Sequence, residues 1–176
     1  MPYKRLYILV EGSDDERFFQ YVVKPHFEEE YDTVQINQYA KMTNKKIGNF
    51  LKSIHAMKAD YLYVTDINNS PCVTKKKDQI KKILNKFVTE DRISVVIREI
   101  EGWYLAGLTS TKSKTLKVSN LPPHTNDLTK EQFNSLIPKK FDSRIDFMIE
   151  ILKLFSMPTA KRKNKSFLYF SKRHLR

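Results

Sequence analysis

Three apolar stretches of the sequence each run into a carboxylate. Residues 6–10, Leu-Tyr-Ile-Leu-Val, end on Glu11, residues 61–65 end on Asp66, and residues 93–97 lead through Arg98 to Glu99 and Glu101. Acids make up 20 of the 176 residues, so an acid at the end of three separate apolar runs exceeds what composition supplies. Asp15 joins Glu11 if a helix opens at residue 14, because it lies three and four residues before Phe18 and Phe19 and shares their face. Carboxylates gathered with little His or Cys suit a hard, oxygen-liganded cation, Mg2+ or Mn2+, rather than Zn2+. Such a cation neutralises phosphate, and two of them can activate water and stabilise the leaving oxygen of a phosphodiester. Singly, each acid has a plainer role, Glu11 as a strand end and Asp15 as a favourable charge at a helix N-terminus.

Other chemistries find less support. Ser13 stands beside Gly12, but no paired His and Asp motif accompanies it and capping accounts for the serine. No G-x-x-x-x-G-K-[ST] loop is present. His55 falls inside a helical pattern without a ligand-spaced neighbour, and the single cysteine, Cys72, excludes an intrachain disulfide framework or a cysteine-rich zinc site. A phosphoacceptor domain using Asp66 lacks the acidic pair expected after the first strand, where Glu11-Gly12 stands instead.

The elements that must position these acids follow from hydrophobic spacing. Five consecutive apolar residues before Glu11 indicate a strand buried on both faces, as in a parallel sheet. Gly12 offers a tight turn, and Ser13 with Glu16 forms a capping box that starts a helix at Asp14 and buries Phe18, Phe19 and Val22. A shorter strand spans 33–37. A helix starting near Thr43 or Asn44 carries Ile47, Phe50, Leu51, Ile54 and Met57, and another from about Thr74 carries Ile80, Ile83, Leu84, Phe87 and Val88. Strands alternating with helices imply right-handed crossovers and a three-layer α/β sandwich, whose ligands bind at the carboxyl ends near the switch in strand order. In a sheet ordered 2-1-3-4, Glu11 and Asp66 stand side by side.

The pattern changes beyond Leu108. Residues 109–120 are polar and lysine-bearing and Pro122-Pro123 follows, so residues 1–108 read as the α/β domain and 109–176 as a linker and basic helical C-terminal cap. Thr129 with Gln132 opens one short helix, Asp142 or Ser143 caps a stronger one that ends before Pro158, and a last helix covers about 166–175. Trp103 and Tyr104 are read first as core, with base stacking as the competing role.

Charge is uneven along the chain. The formal net charge is +12, and no Asp or Glu follows Glu150, whereas Lys153, Lys161, Arg162, Lys163, Lys165, Lys172, Arg173 and Arg176 do. A basic end this concentrated favours a polyanion, foremost nucleic acid, against the plainer reading of a solvated tail. With no signal peptide and no apolar run of bilayer length, the expectation is a soluble cytoplasmic protein that uses no membrane. A protein partner or a homodimer is left open.

Leu9-Val10-Glu11-Gly12-Ser13-Asp14-Asp15 resembles the first motif of Toprim domains, found in topoisomerases, bacterial primases, recombination-associated proteins and OLD-family nucleases. Val64-Thr65-Asp66-Ile67-Asn68 stands where that family carries its D-x-D motif, and the stretch from Glu99 to Ala106 is similar to small stand-alone Toprim-like bacterial proteins, some linked to phage defence. The resemblance covers residues 4–105 and implies a Toprim/Rossmann-like parallel core, Mg2+ binding and phosphodiester chemistry. By position, Glu11 matches the family's invariant glutamate, Asp15 the second acid of OLD-like nucleases, and Asp66 the first aspartate of D-x-D. Asn68 departs from the pattern, putting a neutral oxygen where a carboxylate is expected, with Glu99 or Glu101 placed to compensate.

The expectation is therefore a Mg2+- or Mn2+-dependent nuclease. Glu11, Asp15, Asp66, Asn68, Glu99 and Glu101 are the metal candidates, and Glu11, Asp66 and Lys165 the catalytic candidates. Lys161, Arg162, Lys163, Lys165, Lys172 and Arg173 are the nucleic-acid contacts. The alternative is a non-catalytic nucleic-acid-binding or partner-docking module that keeps the fold around a degenerate site.

Overall fold

Three apolar runs and the alternating segment Thr33–Gln38 become β1 (Arg5–Val10), β2 (Thr33–Gln38), β3 (Asp60–Asp66) and β4 (Ile93–Val96), joined in a single all-parallel sheet ordered β2-β1-β3-β4. The computed structural model describes residues 3–175; Arg176, counted above among the basic residues, lies outside them. The chain divides into two compact units, Met1–Val96 and Ile97–Arg176.

In the first unit each strand is joined to the next in sequence by a helical crossover, the connection that parallel strands require. The β1–β2 connection holds α1 (Ser13–Phe18), a π-helical turn (Phe19–Val23) and α2 (Lys24–Phe27). Pro25 accounts for the π turn: it has no N–H for the Tyr21 carbonyl, and the widened turn places it in the first turn of α2, where none is needed. The connections from β2 to β3 and from β3 to β4 carry α3 (Asn44–Ala56) and α4 (Val73–Leu84).

Alternation along each strand sorts the side chains into two layers. Tyr7, Leu9, Tyr61, Tyr63, Ile93 and Val95 form one core with Ile47, Leu51 and Ile54 of α3 and Ile80 and Leu84 of α4. Leu6, Ile8 and Val10 face the other side, where Gln38 of β2 donates its side-chain amide to Glu16 of α1. The result is the expected three-layer α/β arrangement.

Two local expectations shift. The N-cap of α1 is Gly12, not Ser13, and the return bond comes from Asp15, whose Oδ2 accepts the Gly12 N–H at 3.2 Å, not from Glu16; with no side chain on Gly12, only this half of a capping box forms. Gly12 is extended (φ −141°), and a Cβ there would meet nothing nearer than Asp15 Oδ2 at 3.8 Å, so the turn does not need a glycine.

The second unit is helical: α5 (Glu101–Ala106), α6 (Ser110–Thr115), α7 (Lys130–Ser135), α8 (Arg144–Lys153), α9 (Met157–Lys163) and α10 (Lys165–His174). Its centre is α5, with Trp103 and Tyr104 fully buried, so this aromatic pair is core. A buried polar chain ties it together. Trp103 Nε1 donates to Ser166 Oγ (2.7 Å), Ser166 Oγ to Asn164 Oδ1 (2.9 Å), Asn164 Nδ2 to Thr125 Oγ1 (3.1 Å), and Thr125 Oγ1 to the Gly102 carbonyl (2.7 Å). Each buried polar group thus has a partner, which is what makes such a chain stabilising. Among the described residues no helix is long and apolar enough to cross a membrane.

Candidate functional site

Glu11 leaves β1 at its carboxyl end and is held from the β2 side. Its carbonyl accepts the Ala40 N–H (3.1 Å), and the preceding Val10 carbonyl accepts the Tyr39 N–H (2.9 Å), extending the β1–β2 pairing past the strand. Asp66 closes β3, and the next residue, Ile67, donates its N–H to the Val96 carbonyl (2.9 Å). Because β1 and β3 are neighbours, the two acids stand at adjacent strand ends, where the strand order reverses and α/β sheets bind their ligands.

The register tells which side chains surround Glu11. Leu9 is opposite Asn37 on β2 and Tyr63 on β3, so two residues further on Glu11 shares its face with Tyr39 and Thr65. The rings of Tyr39 and Tyr63 stack at 4.7 Å, and Tyr39 O–H donates to the Val64 carbonyl at 2.8 Å. Burial pushes the Tyr63 phenol up to about 12, with the Glu11 carboxylate adding to the rise. Burial, then Tyr63 and Glu11, lift Tyr39 far above the ordinary phenol range. Both phenols therefore stay neutral at physiological pH.

One oxygen of Glu11, Oε2, is buried and accepts no hydrogen bond, and the same is true of Asn37 Oδ1 on the neighbouring strand. A buried acceptor without a donor costs about 1–3 kcal/mol, and more when it is charged. An oxygen-seeking cation would relieve that cost, so the donor chemistry at Glu11 fits Mg2+ or Mn2+.

The other metal candidates lie elsewhere or are engaged. Asp15 is 8% exposed and caps α1 through Gly12. Asn68 is exposed, with a left-handed backbone (φ 48°) that asparagine tolerates better than most residues. Glu99 and Glu101 belong to the second unit: Glu99 accepts the Lys130 N–H at the start of α7, and the buried Glu101 pairs with Arg144. Among the described residues no three His, Cys, Asp or Glu side chains form a group able to hold a metal ion.

The basic candidates divide in the same way. Lys163 turns inward, its Nζ donating to the Leu108 carbonyl at 2.7 Å, and burial pushes its pKa down. Arg162 is exposed and donates to Thr159 Oγ1 (3.3 Å), and Lys161 is partly buried. Lys165, Lys172 and Arg173 are exposed along α10.

Tyr39, Tyr63 and Asn37 are the site neighbours that motif spacing does not single out. The available signal was register: once the order is 2-1-3-4, the row through Glu11 names Tyr39 and Thr65 directly.

No family model matches the chain, and no curated protein matches it. Among solved structures, the C-terminal region of the Xanthomonas campestris pv. campestris OLD protein is similar over 87% of this chain and 80% of that chain, with 14% identity and a TM-score of 0.40. A likeness of this size carries no assignment of family or activity.

Proposed function

We propose that the chain is a Mg2+- or Mn2+-dependent phosphodiester-processing enzyme, a nuclease, with its site at the carboxyl ends of β1 and β3. The observation that carries the reading is Glu11: a carboxylate at the strand-order switch, beside Asp66, with a buried oxygen that accepts no hydrogen bond. Glu11 and Asp66 would hold the cation. Two carboxylates suit a single Mg2+ that keeps several waters and takes its remaining ligands from substrate phosphate. Bound there, the metal supplies charge neutralisation at the phosphate and a more acidic water.

The chain's own residues do the rest. Asp15 is a positioning residue, fixing the Gly12 amide and so the direction in which the chain leaves Glu11. Tyr39 and Tyr63 wall the site with neutral rings that limit solvent and make the local field of Glu11 stronger. Exposed cations of the C-terminal helices, Lys165 among them, meet the phosphate backbone.

The test combines binding and turnover. Mg2+ at about a hundred times its Kd raises stability by about 2.7 kcal/mol, read as a higher Tm. Glu11→Gln removes both this rise and metal-dependent cleavage of DNA or RNA. If wild-type protein shows neither cleavage nor a Tm rise with either metal, the enzyme reading fails. The second reading, a nucleic-acid-binding module with a degenerate site, is favoured by the lack of a third carboxylate among the described residues. Salt-dependent binding without cleavage would select it.

A further inference from the structure

The exposed face of α10 carries more than charge. Lys165, Tyr169, Lys172 and Arg173 are exposed at positions i, i+4, i+7 and i+8, one continuous stripe of a helix, while Ser166, Phe167, Phe170 and Ser171 are buried on the opposite face. Tyr169 is 57% exposed although it is a large aromatic residue, and cations flank it on both sides. No carboxylate occurs in α9 or α10 to neutralise them.

The helix presenting this stripe is firmly held. The Asn164 side chain caps it by accepting the Phe167 N–H (3.0 Å) and belongs to the buried chain reaching Thr125, while the rings of Phe167 and Phe170 lie 5.1 Å from that of Trp103. Tyr169 therefore projects from a fixed platform. A ring so placed among phosphate-seeking cations offers a surface for an unpaired base, which stacks on aromatic side chains whatever its identity. A base-paired duplex keeps its bases stacked internally and offers mainly phosphates.

We propose that the exposed face of α10 binds single-stranded nucleic acid, with Tyr169 stacking on a base and Lys165, Lys172 and Arg173 contacting the flanking phosphates. This rests on the nucleic-acid reading above and deepens it by naming the substrate class.

Binding of a fluorescein-labelled oligo-dT and of a hairpin duplex is measured by anisotropy in EDTA, so that metal and turnover play no part. Tyr169→Ala weakens oligo-dT binding roughly 5- to 150-fold and leaves duplex binding and the salt slope unchanged. Tyr169→Phe, which keeps the ring, binds like wild type. Neutralising Lys165, Lys172 and Arg173 together lowers the oligo-dT salt slope by about 2, at roughly 0.7 per phosphate contact in a single strand. The proposal is overturned if Tyr169→Ala binds oligo-dT normally, or loses duplex affinity equally, or if the stripe binds anionic phospholipid vesicles and no oligonucleotide. Cleavage lost in Glu11→Gln alongside normal oligo-dT binding by Tyr169→Ala would sink the stripe and leave the enzyme reading standing.

Discussion

Glu101 separates two roles that a sequence cannot tell apart, a metal ligand and a buried structural ion. Its side chain is 5% exposed and that of its partner Arg144 is 22% exposed, and the guanidinium also donates to Asn134 Oδ1 at 3.0 Å. Removing one partner of a buried pair costs about 3–5 kcal/mol, because the other charge is left in a poorly solvated place. Arg144 keeps some solvent and its bond to Asn134, which puts Glu101→Leu at the lower end, about 3 kcal/mol. For a chain of this size each kcal/mol moves Tm by roughly 2–4 °C, so the expected fall is about 6–12 °C. The double variant Glu101→Leu, Arg144→Met removes both charges and returns most of that loss, a coupling of about 2 kcal/mol in a double-mutant cycle. Circular-dichroism melts of the four proteins, with and without Mg2+, give the answer. A Glu101→Leu protein that melts like wild type but no longer gains stability from Mg2+ would refute the structural role and restore Glu101 to the metal.

Two further outcomes are open to simple measurement. A Cβ added at Gly102 would lie 2.9 Å from the Thr125 carbonyl oxygen, so Gly102→Ala should cost about 1–3 kcal/mol in a thermal melt. Gly12→Ala, with extended backbone and open space, should cost far less, and equal losses would contradict the geometry. Tyr63 rises from 10 to about 12 on folding, so its contribution is fully present below pH 10 and is lost as pH climbs through 12. The loss is about 3 kcal/mol at about 1.4 kcal/mol per pH unit, and Tyr63→Phe should flatten the fall of the urea midpoint above pH 10.

What the sequence disclosed is mostly what local chemistry decides. Thr129 caps its helix as expected, and of the pairs Thr43 or Asn44 and Asp142 or Ser143 it is Thr43 and Ser143 that cap theirs, because a hydroxyl three residues from an open N–H needs no distant partner. The parallel arrangement was legible from short strands, most of them unbroken apolar runs, separated by amphipathic helices. At α1 the same logic slipped by one residue: Asp15 and Glu16 are near-equivalent as local acceptors, and Glu16 is drawn away to Gln38 on β2, which spacing cannot show. α8 ends at Lys153, before Pro158 as expected, and Pro158 itself sits in the first turn of α9, where a missing N–H costs nothing. The Ser- and Lys-rich segment of α6 hid a helix for want of an apolar stripe. The positions of Glu11 just past β1 and of Asp66 at the end of β3 could be read because strand ends are local features. The partners of Glu99 and Glu101 come from 31 and 43 residues away, and only tertiary structure names them.

The strand order also governs when the first unit can form. β1 sits between β2 and β3, and no hairpin joins any neighbours, so each pairing closes a long loop. On the ribosome, β1 is synthesised well before its second neighbour: β3 ends only at Asp66. At roughly 5–20 residues per second, the nascent strand spends about 3–11 s with at least one edge bare. For that interval its apolar run is a target for chaperones and for other nascent chains, and synthesis speed over residues 11–66 becomes a determinant of yield.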